Sequence, residues 1–327
     1  MRALQVHALE PDFAGVRLSD VDVPQPQAGE VRVKVAAAAV NFPDLLMTRG
    51  AYQLKPPLPF TQGLEFSGIV DAVGPNVTTW RVGDEVMGGN AQGHGAMAEY
   101  AIGQALKMRR KPSGLNWEEA SAYAVTYVSA YVGLMQCAKV QPGEWVLVHG
   151  AAGGVGLAAV DMAKALGARV IAAASTEEKR QAIARIYAPD AVISSEAGFR
   201  EEVKRITGGA GADVIFDPVG GDIFDESTRS IAFGGRLLVV GFTSGRIATM
   251  ATNIALIKGF SVMGVRAGEY CRRFPDRGQL CYSAIDRMAE AGVIRPHIDR
   301  VLDLADWREG YELLDQRKVV GKVVLRP

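Results

Sequence analysis

Apolar and polar residues alternate along the first third of the chain. Glu30 to Val35 reads EVRVKV, and Gly68 to Val73 reads GIVDAV between turn-forming residues. A period of two is the signature of a half-buried strand, because successive side chains leave opposite faces. Residues 1 to about 115 are therefore expected to be mainly β, as short strands broken by turns. The period changes after Pro112: Trp117 to Cys137 has helical spacing, and EWVLVHG then runs into a glycine cluster. From Glu144 onward apolar runs alternate with amphipathic ones: WVLVHG, LAAVDMAKALG, RVIAAAS, EEKRQAIARIY, DAVIS, EEVKRITGG, DVIFDPVG and GRLLVVGF. Such βαβ repeats predict a doubly wound parallel α/β sheet, since a parallel strand buried on both faces needs a helix on each side. From about Phe260 the character is mixed, and the chain ends in the strand-like KVVLRP. A terminal strand of that kind can rejoin the first domain. The expected division is residues 1–118 with 262–327, and 119–261 inserted between them.

Composition narrows the function classes. A chain of 327 residues accommodates two domains of ordinary size, and 48% hydrophobic with 22% charged residues is the balance of a soluble globular protein with ample core material. Lys plus Arg equals Asp plus Glu at 36 each, so no net field favours nucleic acid or an anionic membrane. The N-terminal MRALQVHALEPDF has no basic flank before an apolar stretch, and no run approaches the roughly 20 apolar residues of a membrane span. A cytoplasmic location is the resulting expectation. Cys137, Cys271 and Cys281 are too few and too scattered for a disulfide framework or a zinc knuckle, and read as core-filling residues.

The glycine cluster carries the first chemistry. Ala151-Ala152-Gly153-Gly154-Val155-Gly156 follows the strand EWVLVHG and opens a helical pattern. A dinucleotide pyrophosphate needs a tight turn, a position where backbone can approach it, and a helix N-terminus with free N–H groups. Gly153 and Gly156 match the second and third glycines of G-x-G-x-x-G, and Ala151 takes the first place. A turn that merely tolerates small residues would look similar, but this one stands at the first turn of a multi-unit parallel sheet. The following strand ends Ala172-Ala173-Ala174-Ser175-Thr176 with no acid to hold a ribose 2′-hydroxyl. Ser175, Lys179 and Arg180 offer a hydroxyl and two cations, which suit a 2′-phosphate and so NADPH. Pairing of Lys179 and Arg180 with Glu177 and Glu178 on a solvated helix is the alternative. Asp217-Pro218-Val219-Gly220-Gly221 and Val240-Gly241-Phe242 end later strands, so backbone around Val219, Gly241 and Phe242 is expected to line the cofactor site.

The whole chain resembles the quinone oxidoreductase, or zeta-crystallin-like, branch of the medium-chain dehydrogenase/reductase superfamily. The likeness rests on VNFPDLLMTRGAY (40–52), PLPFTQGLEFSGIVDAVG (57–74), VGDEV (82–86), AMAEY (96–100), VHGAAGGVG (148–156), FDPVGG (216–221) and VVGKVVL (319–325). It implies a GroES-like, mainly β catalytic domain, a Rossmann-type domain inserted into it, an active site in the interdomain cleft, and a homodimer joined through Rossmann sheet edges. Zinc-dependent members carry a Cys near the start of the first of these segments and Gly-His-Glu in the second. Here the residues are Val40-Asn41-Phe42-Pro43-Asp44 and Gly63-Leu64-Glu65, and the four-cysteine lobe is also missing, so no metal is expected. Relatives often place an aromatic residue after the third Rossmann strand; Val192-Ile193-Ser194-Ser195 departs from that and weakens the NADPH preference.

Without a metal, such a site orients an electron-poor π system and stabilises the oxyanion that develops. The resemblance points to Asn41 as an amide donor to a carbonyl oxygen, with Asp44 beside it to hold Asn41 or the turn. Tyr52 coincides with a tyrosine that enoyl-thioester reductases use as proton donor, and Thr126 with a threonine at the nicotinamide ribose. Packing by Tyr52 beside KPPLPF, and a hydroxyl of Thr126 turned to its own helix, remain the alternatives. The expected activity is NADPH:quinone reduction; reduction of 2-enoyl thioesters or other α,β-unsaturated carbonyls is the second reading, and non-catalytic NADPH binding the third. His7, His94, His149 and His297 carry no motif.

Overall fold

The computed structural model describes residues 1–89, 94–196 and 198–327. The chain forms two compact units, Met1–Val125 with Arg295–Pro327, and Thr126–Ile294.

The first unit is mainly β. A small antiparallel sheet joins Val16–Asp20, Arg2–Val6 and Phe60–Thr61. The larger sheet is built on the long strand Glu30–Val40, flanked by Glu65–Val73 and Lys322–Arg326, both antiparallel to it. Its apolar positions close a core around Leu4, Val33, Phe66, Trp307 and Tyr311. The strand-like C-terminus thus does rejoin the first unit, with Val323 opposite Val40 and Leu325 opposite Ala38. That register has a chemical consequence. Lys322 stands at the end of the sheet where Glu30–Val40 gives way to Asn41, and Glu65, paired with Ala39, stands at the same end.

The second unit contains a six-stranded, wholly parallel sheet. Its spatial order is Ala191–Ser194, Arg169–Ala174, Trp145–Val148, Ala212–Asp217, Ile231–Val239 and Ser261–Gly264. Numbered along the chain this is 3-2-1-4-5-6, the doubly wound Rossmann order, and the direction of winding reverses beside Trp145–Val148. The helices Gly154–Ala165, Glu177–Tyr187 and Phe199–Ile206 fall where the amphipathic runs predict them. Leu147, Ile171, Ile215 and Leu237 are fully buried, as strands covered on both faces require. Thus the expected fold class, a GroES-like mainly β domain with a Rossmann-type parallel sheet, is what the chain forms.

The compact units and the sequence-based division differ over residues 119–125, which fall in the first unit, and over 262–294, which fall in the second. Helices Ala267–Arg273 and Pro275–Glu290 belong to the second unit. Tyr270 Oη donates to Gln136 Oε1 at 3.1 Å, and Cys281 and Ile285 are buried on the inward face of the longer helix. No helix among the described residues is long and apolar enough to cross a membrane.

Candidate functional site

The glycine turn lies at the reversal of the parallel sheet. The main-chain N–H of Ala151 donates to Ala173 O on the neighbouring strand at 3.1 Å, which fixes the turn as it leaves the sheet. Gly150 takes a φ of +56°, a left-handed conformation that favours glycine. Gly153 is the N-cap of the helix Gly154–Ala165, with extended φ/ψ of −75° and 163°. The first intrahelical bond runs from Leu157 N–H to Gly153 O at 2.8 Å, which leaves the N–H groups of Gly154, Val155 and Gly156 without intrahelical acceptors. A methyl group on Gly156 would run into the carbonyl oxygen of Gly150, so this glycine permits the helix to sit tightly on the strand. Ala152 is buried under the turn. Free N–H groups with a positive helix end are the donor set that a pyrophosphate requires, so the residues fit a dinucleotide.

The neighbouring strand ends complete one rim of this unit. Val219 touches the turn: a side chain on Gly150 would meet its Cγ2 at 3.2 Å. The loop carrying Val219 is held by Asp217, whose Oδ1 accepts from Val219 N–H at 2.8 Å and Gly220 N–H at 2.9 Å. Burial pushes the Asp217 carboxyl above its usual value, partly offset by these two donors, and its Oδ2 has no partner among the described residues. Gly241 packs on Pro218, and Thr243 N–H donates to Pro218 O at 3.1 Å, so Gly241 and Phe242 lie against the same loop. Phe242 is 45% exposed. Thr126 is buried on the helix Ala124–Tyr131.

At the end of Arg169–Ala174 the structure places Ser175 in the open and Thr176 as the N-cap of Glu177–Tyr187, accepting from Lys179 N–H at 3.3 Å. Arg180 bonds in two directions. Its Nη1 donates to Ala174 O at 3.2 Å and Ser175 O at 3.3 Å, while its Nη2 pairs with Glu177 at 2.8 Å. The guanidinium is thus anchored at the strand end beside Ser175, and the ion pair with Glu177 anticipated as the alternative also forms.

In the first unit, Asn41 caps the helix Phe42–Thr48, and its main-chain N–H donates to Asp44 Oδ2 at 2.8 Å. Its side chain is enclosed in a ring of charges that the sequence reading did not include. Lys322 Nζ donates to Asn41 Oδ1 at 2.6 Å and to Glu65 Oε1 at 3.1 Å, and Asn41 Nδ2 donates to the same Glu65 oxygen at 3.1 Å. The amide also reaches Ala39 O at 3.4 Å, so both amide hydrogens turn inward. Glu65 Oε2 accepts from Val125 N–H at 2.9 Å. All three side chains are almost buried, with Asn41 and Lys322 at 5% and Glu65 at 2% exposure. The signal that could have revealed Lys322 is a lysine at the head of a run of buried valines, where a charge must find a partner.

Asp44 is fully buried beneath this ring. Desolvation drives its carboxyl from the ordinary range to about 7, against the pull of the Asn41 N–H and of Lys322. Its Oδ1 and the Oε1 of neighbouring Gln62 have no hydrogen-bond partner among the described residues. Tyr52 is partly buried and packs against the core of this unit. Two of the histidines are held by neighbouring side chains or backbone. His149 is wholly buried against Phe199 and bonded to Ser227 Oγ at 2.8 Å, with burial lowering it to about 3; His94 bonds to Thr61 O at 3.2 Å.

The described residues contain no group of three or more His, Cys, Asp or Glu able to hold a metal ion. Asn41 and Leu64 supply neither thiolate nor imidazole, and the ammonium of Lys322 bonded to Asn41 Oδ1 would repel a dication there. The donor set does not fit zinc.

Comparison with known proteins agrees with this architecture. Residues 27–113 match the alcohol dehydrogenase GroES-like domain, and residues 154–281 match the zinc-binding dehydrogenase domain family. Quinone oxidoreductase-like protein 2 of Bos taurus is 41% identical over 305 residues, covering 92% of this chain and 86% of that protein. The quinone oxidoreductase of Homo sapiens is 31% identical over 327 residues, covering 99% of this chain and 97% of its own. Among solved structures, a probable oxidoreductase from Mycobacterium abscessus superposes with a TM-score of 0.90 at 34% identity, covering 100% of this chain and 99% of that one. The Escherichia coli quinone oxidoreductase complexed with NADPH does so at 0.88 and 28% identity, over 100% of both chains. With the parallel sheet, the glycine turn and these similarities together, the chain belongs to the quinone oxidoreductase family of the medium-chain dehydrogenase/reductase superfamily.

Proposed function

We propose that this chain is an NADPH-dependent, zinc-independent oxidoreductase acting on a quinone. The observation that carries the reading is the glycine turn at the reversal of the parallel sheet, with the N–H groups of Gly154, Val155 and Gly156 open at its helix N-terminus. The nearest strand end, Ala174-Ser175-Thr176, adds Arg180 and no acid, which supports a phosphorylated ribose over a bare one. The similarity to a quinone oxidoreductase complexed with NADPH points the same way.

When bound, NADPH supplies the hydride. The chain's own residues do the rest. The turn and Val219, Gly241 and Phe242 hold the dinucleotide, Ser175, Lys179 and Arg180 its phosphorylated ribose, and Thr126 the nicotinamide ribose. Asn41 and Asp44 shape the acceptor end, where a carbonyl oxygen gains negative charge. Tyr52 is the group for a second reading, reduction of 2-enoyl thioesters, in which its phenol protonates the carbon left anionic. The helix Thr252–Lys258, which leads into the edge strand Ser261–Gly264, carries Leu256 and Ile257 at 82% and 73% exposure, and a homodimer through that edge of the parallel sheet is part of this proposal.

The test is NADPH consumption by the purified protein with a para-quinone and, in parallel, with a crotonyl thioester, each repeated with NADH. Faster quinone turnover with NADPH is expected. Thioester turnover alone moves the protein to the enoyl reductases, and a preference for NADH overturns the roles of Ser175 and Lys179.

A further inference from the structure

The buried ring of Asn41, Glu65 and Lys322 has an unequal balance of donors and acceptors. An ammonium has three N–H donors. Lys322 gives one to Asn41 Oδ1 at 2.6 Å and one to Glu65 Oε1 at 3.1 Å; among the described residues the third meets no acceptor. A lysine buried only to neutralise Glu65 would be expected to have all its donors met, because an unmet one costs free energy away from water. Asn41, by contrast, has both amide hydrogens engaged, on Glu65 Oε1 at 3.1 Å and Ala39 O at 3.4 Å. In this arrangement Asn41 is an acceptor toward Lys322, and Lys322 is the donor with capacity left.

The members of the cluster differ slightly in exposure. Asp44 and Gln62 beneath it are at 0% and Glu65 at 2%, while Asn41 and Lys322 each retain 5%. Asn41 and Lys322 are thus the least buried members of the cluster. Its orientation is rigid, since Glu65 is tied to Val125 N–H at 2.9 Å through its other oxygen and Lys322 N–H to His297 O at 3.1 Å.

We propose that Lys322 is a catalytic residue of the proposed reductase: its third N–H receives the oxygen of the conjugated carbonyl acceptor and holds the negative charge that forms there. This rests on the functional reading above. The two-electron step balances without further reagents. Hydride from the reduced nicotinamide forms a bond to the acceptor, the acceptor's π electrons shift onto its carbonyl oxygen, the nicotinamide is oxidised, and a solvent proton completes the product. Lys322 keeps its own proton and acts by charge and hydrogen bonding. An ammonium fixed in a site of low dielectric performs the electrophilic work that a metal ion performs elsewhere. Glu65 and Asn41 are positioning residues, setting where the ammonium points.

The test uses an oxyanion probe that needs no turnover. 4-Nitrophenol is titrated into the full-length protein with NADP⁺ present, and the phenolate absorbance is followed from pH 5 to 8. A charged donor binds the phenolate in preference, so the bound phenol ionises at lower pH than the free one; a preference of about tenfold or more is expected. Equal binding of phenol and phenolate by the wild-type protein overturns the proposal, whatever the variants do. The variant is the pair Lys322→Met with Glu65→Gln, which removes both charges together and leaves a side-chain oxygen for Val125 N–H. It is expected to retain NADP⁺ binding, lose the phenolate preference, and lose about 10²- to 10³-fold in kcat for quinone reduction. A folded variant that retains the phenolate preference, or kcat within threefold, overturns the proposal. Absence of NADPH turnover in the wild-type protein defeats the functional reading separately, since the phenolate titration still reads the donor at Lys322.

Discussion

Asn41 and Asp44 bind each other through their backbones and one carboxylate: Asn41 N–H donates to Asp44 Oδ2 at 2.8 Å, and Asp44 N–H donates back to Asn41 O at 3.0 Å. The pair starts the helix Phe42–Thr48 and fixes the direction in which Asn41 leaves the sheet. It also seals a carboxyl group away from water.

That seal gives stability a pH dependence with a definite sign. The Asp44 carboxyl is raised to about 7 in the folded protein by burial, whereas in the unfolded chain it ionises near the ordinary value of 3.8. Between these values the native state holds the extra proton, so this group's contribution to stability is greatest at the acid end and is lost as pH rises through about 7. Asp44→Asn keeps an oxygen for Asn41 N–H and removes the titration. Thermal melts at pH 5.5 and 8 are expected to show the variant gaining on the wild type at pH 8 by roughly 1–3 kcal/mol relative to pH 5.5. A difference between the two proteins that does not change with pH would contradict the buried acid.

Gly156 has no room for a side chain against the Gly150 carbonyl oxygen. Gly156→Ala therefore has to push the helix Gly154–Ala165 off its strand. A cost of about 1–3 kcal/mol in denaturant unfolding is expected, together with a dinucleotide Kd at least tenfold weaker by fluorescence titration. Gly153→Ala meets Gly150 O at 3.4 Å, ordinary contact, and is expected to cost less stability.

The two cations after the glycine turn are expected to behave differently. Arg180 supports the carbonyl oxygens of Ala174 and Ser175, so Arg180→Ala disturbs the strand end itself. It should raise KM for both cofactors, and more for NADPH, whose 2′-phosphate also loses a cation. Lys179→Ala leaves those bonds intact and is expected to lower kcat/KM for NADPH about tenfold while leaving NADH unchanged. Equal loss with both cofactors for Lys179→Ala would place its charge away from the 2′-phosphate.

The parallel sheet was legible because strands such as Val146–Val148 and Ile215–Phe216 are buried on both faces and so read as apolar runs, while their helices carry the complementary period. Its sixth strand, Ser261–Gly264, escaped notice because it lies at the edge with three of its four residues exposed, which breaks the apolar run. The helices at 267–290 lacked a strand to punctuate them and carried no signal of the unit they join. Asn41 and Asp44 were visible as residues of a family motif, but the ring around Asn41 was not. Glu65 and Lys322 are 257 positions apart, and only the register of two strands on Glu30–Val40 brings them together. Local periodicity contains no term for such a meeting. The lone lysine before Val323-Val324-Leu325 was the trace it left.

Tyr52 separates the two acceptor classes. Reduction of an enoyl thioester leaves a carbanion that must be protonated at carbon, whereas a reduced quinone takes its proton on oxygen, where solvent supplies it readily. Tyr52→Phe keeps the ring that packs against the core of the first unit and removes the phenolic hydroxyl. A thermal melt of the variant beside the wild type separates any loss of stability from the catalytic effect of the hydroxyl. Turnover of a crotonyl thioester, where the wild type shows it, is expected to fall about 10²- to 10⁴-fold, with para-quinone turnover spared. Equal loss on both substrates would mean that the hydroxyl serves binding or positioning common to the two, and the assignment of Tyr52 as proton donor would fall.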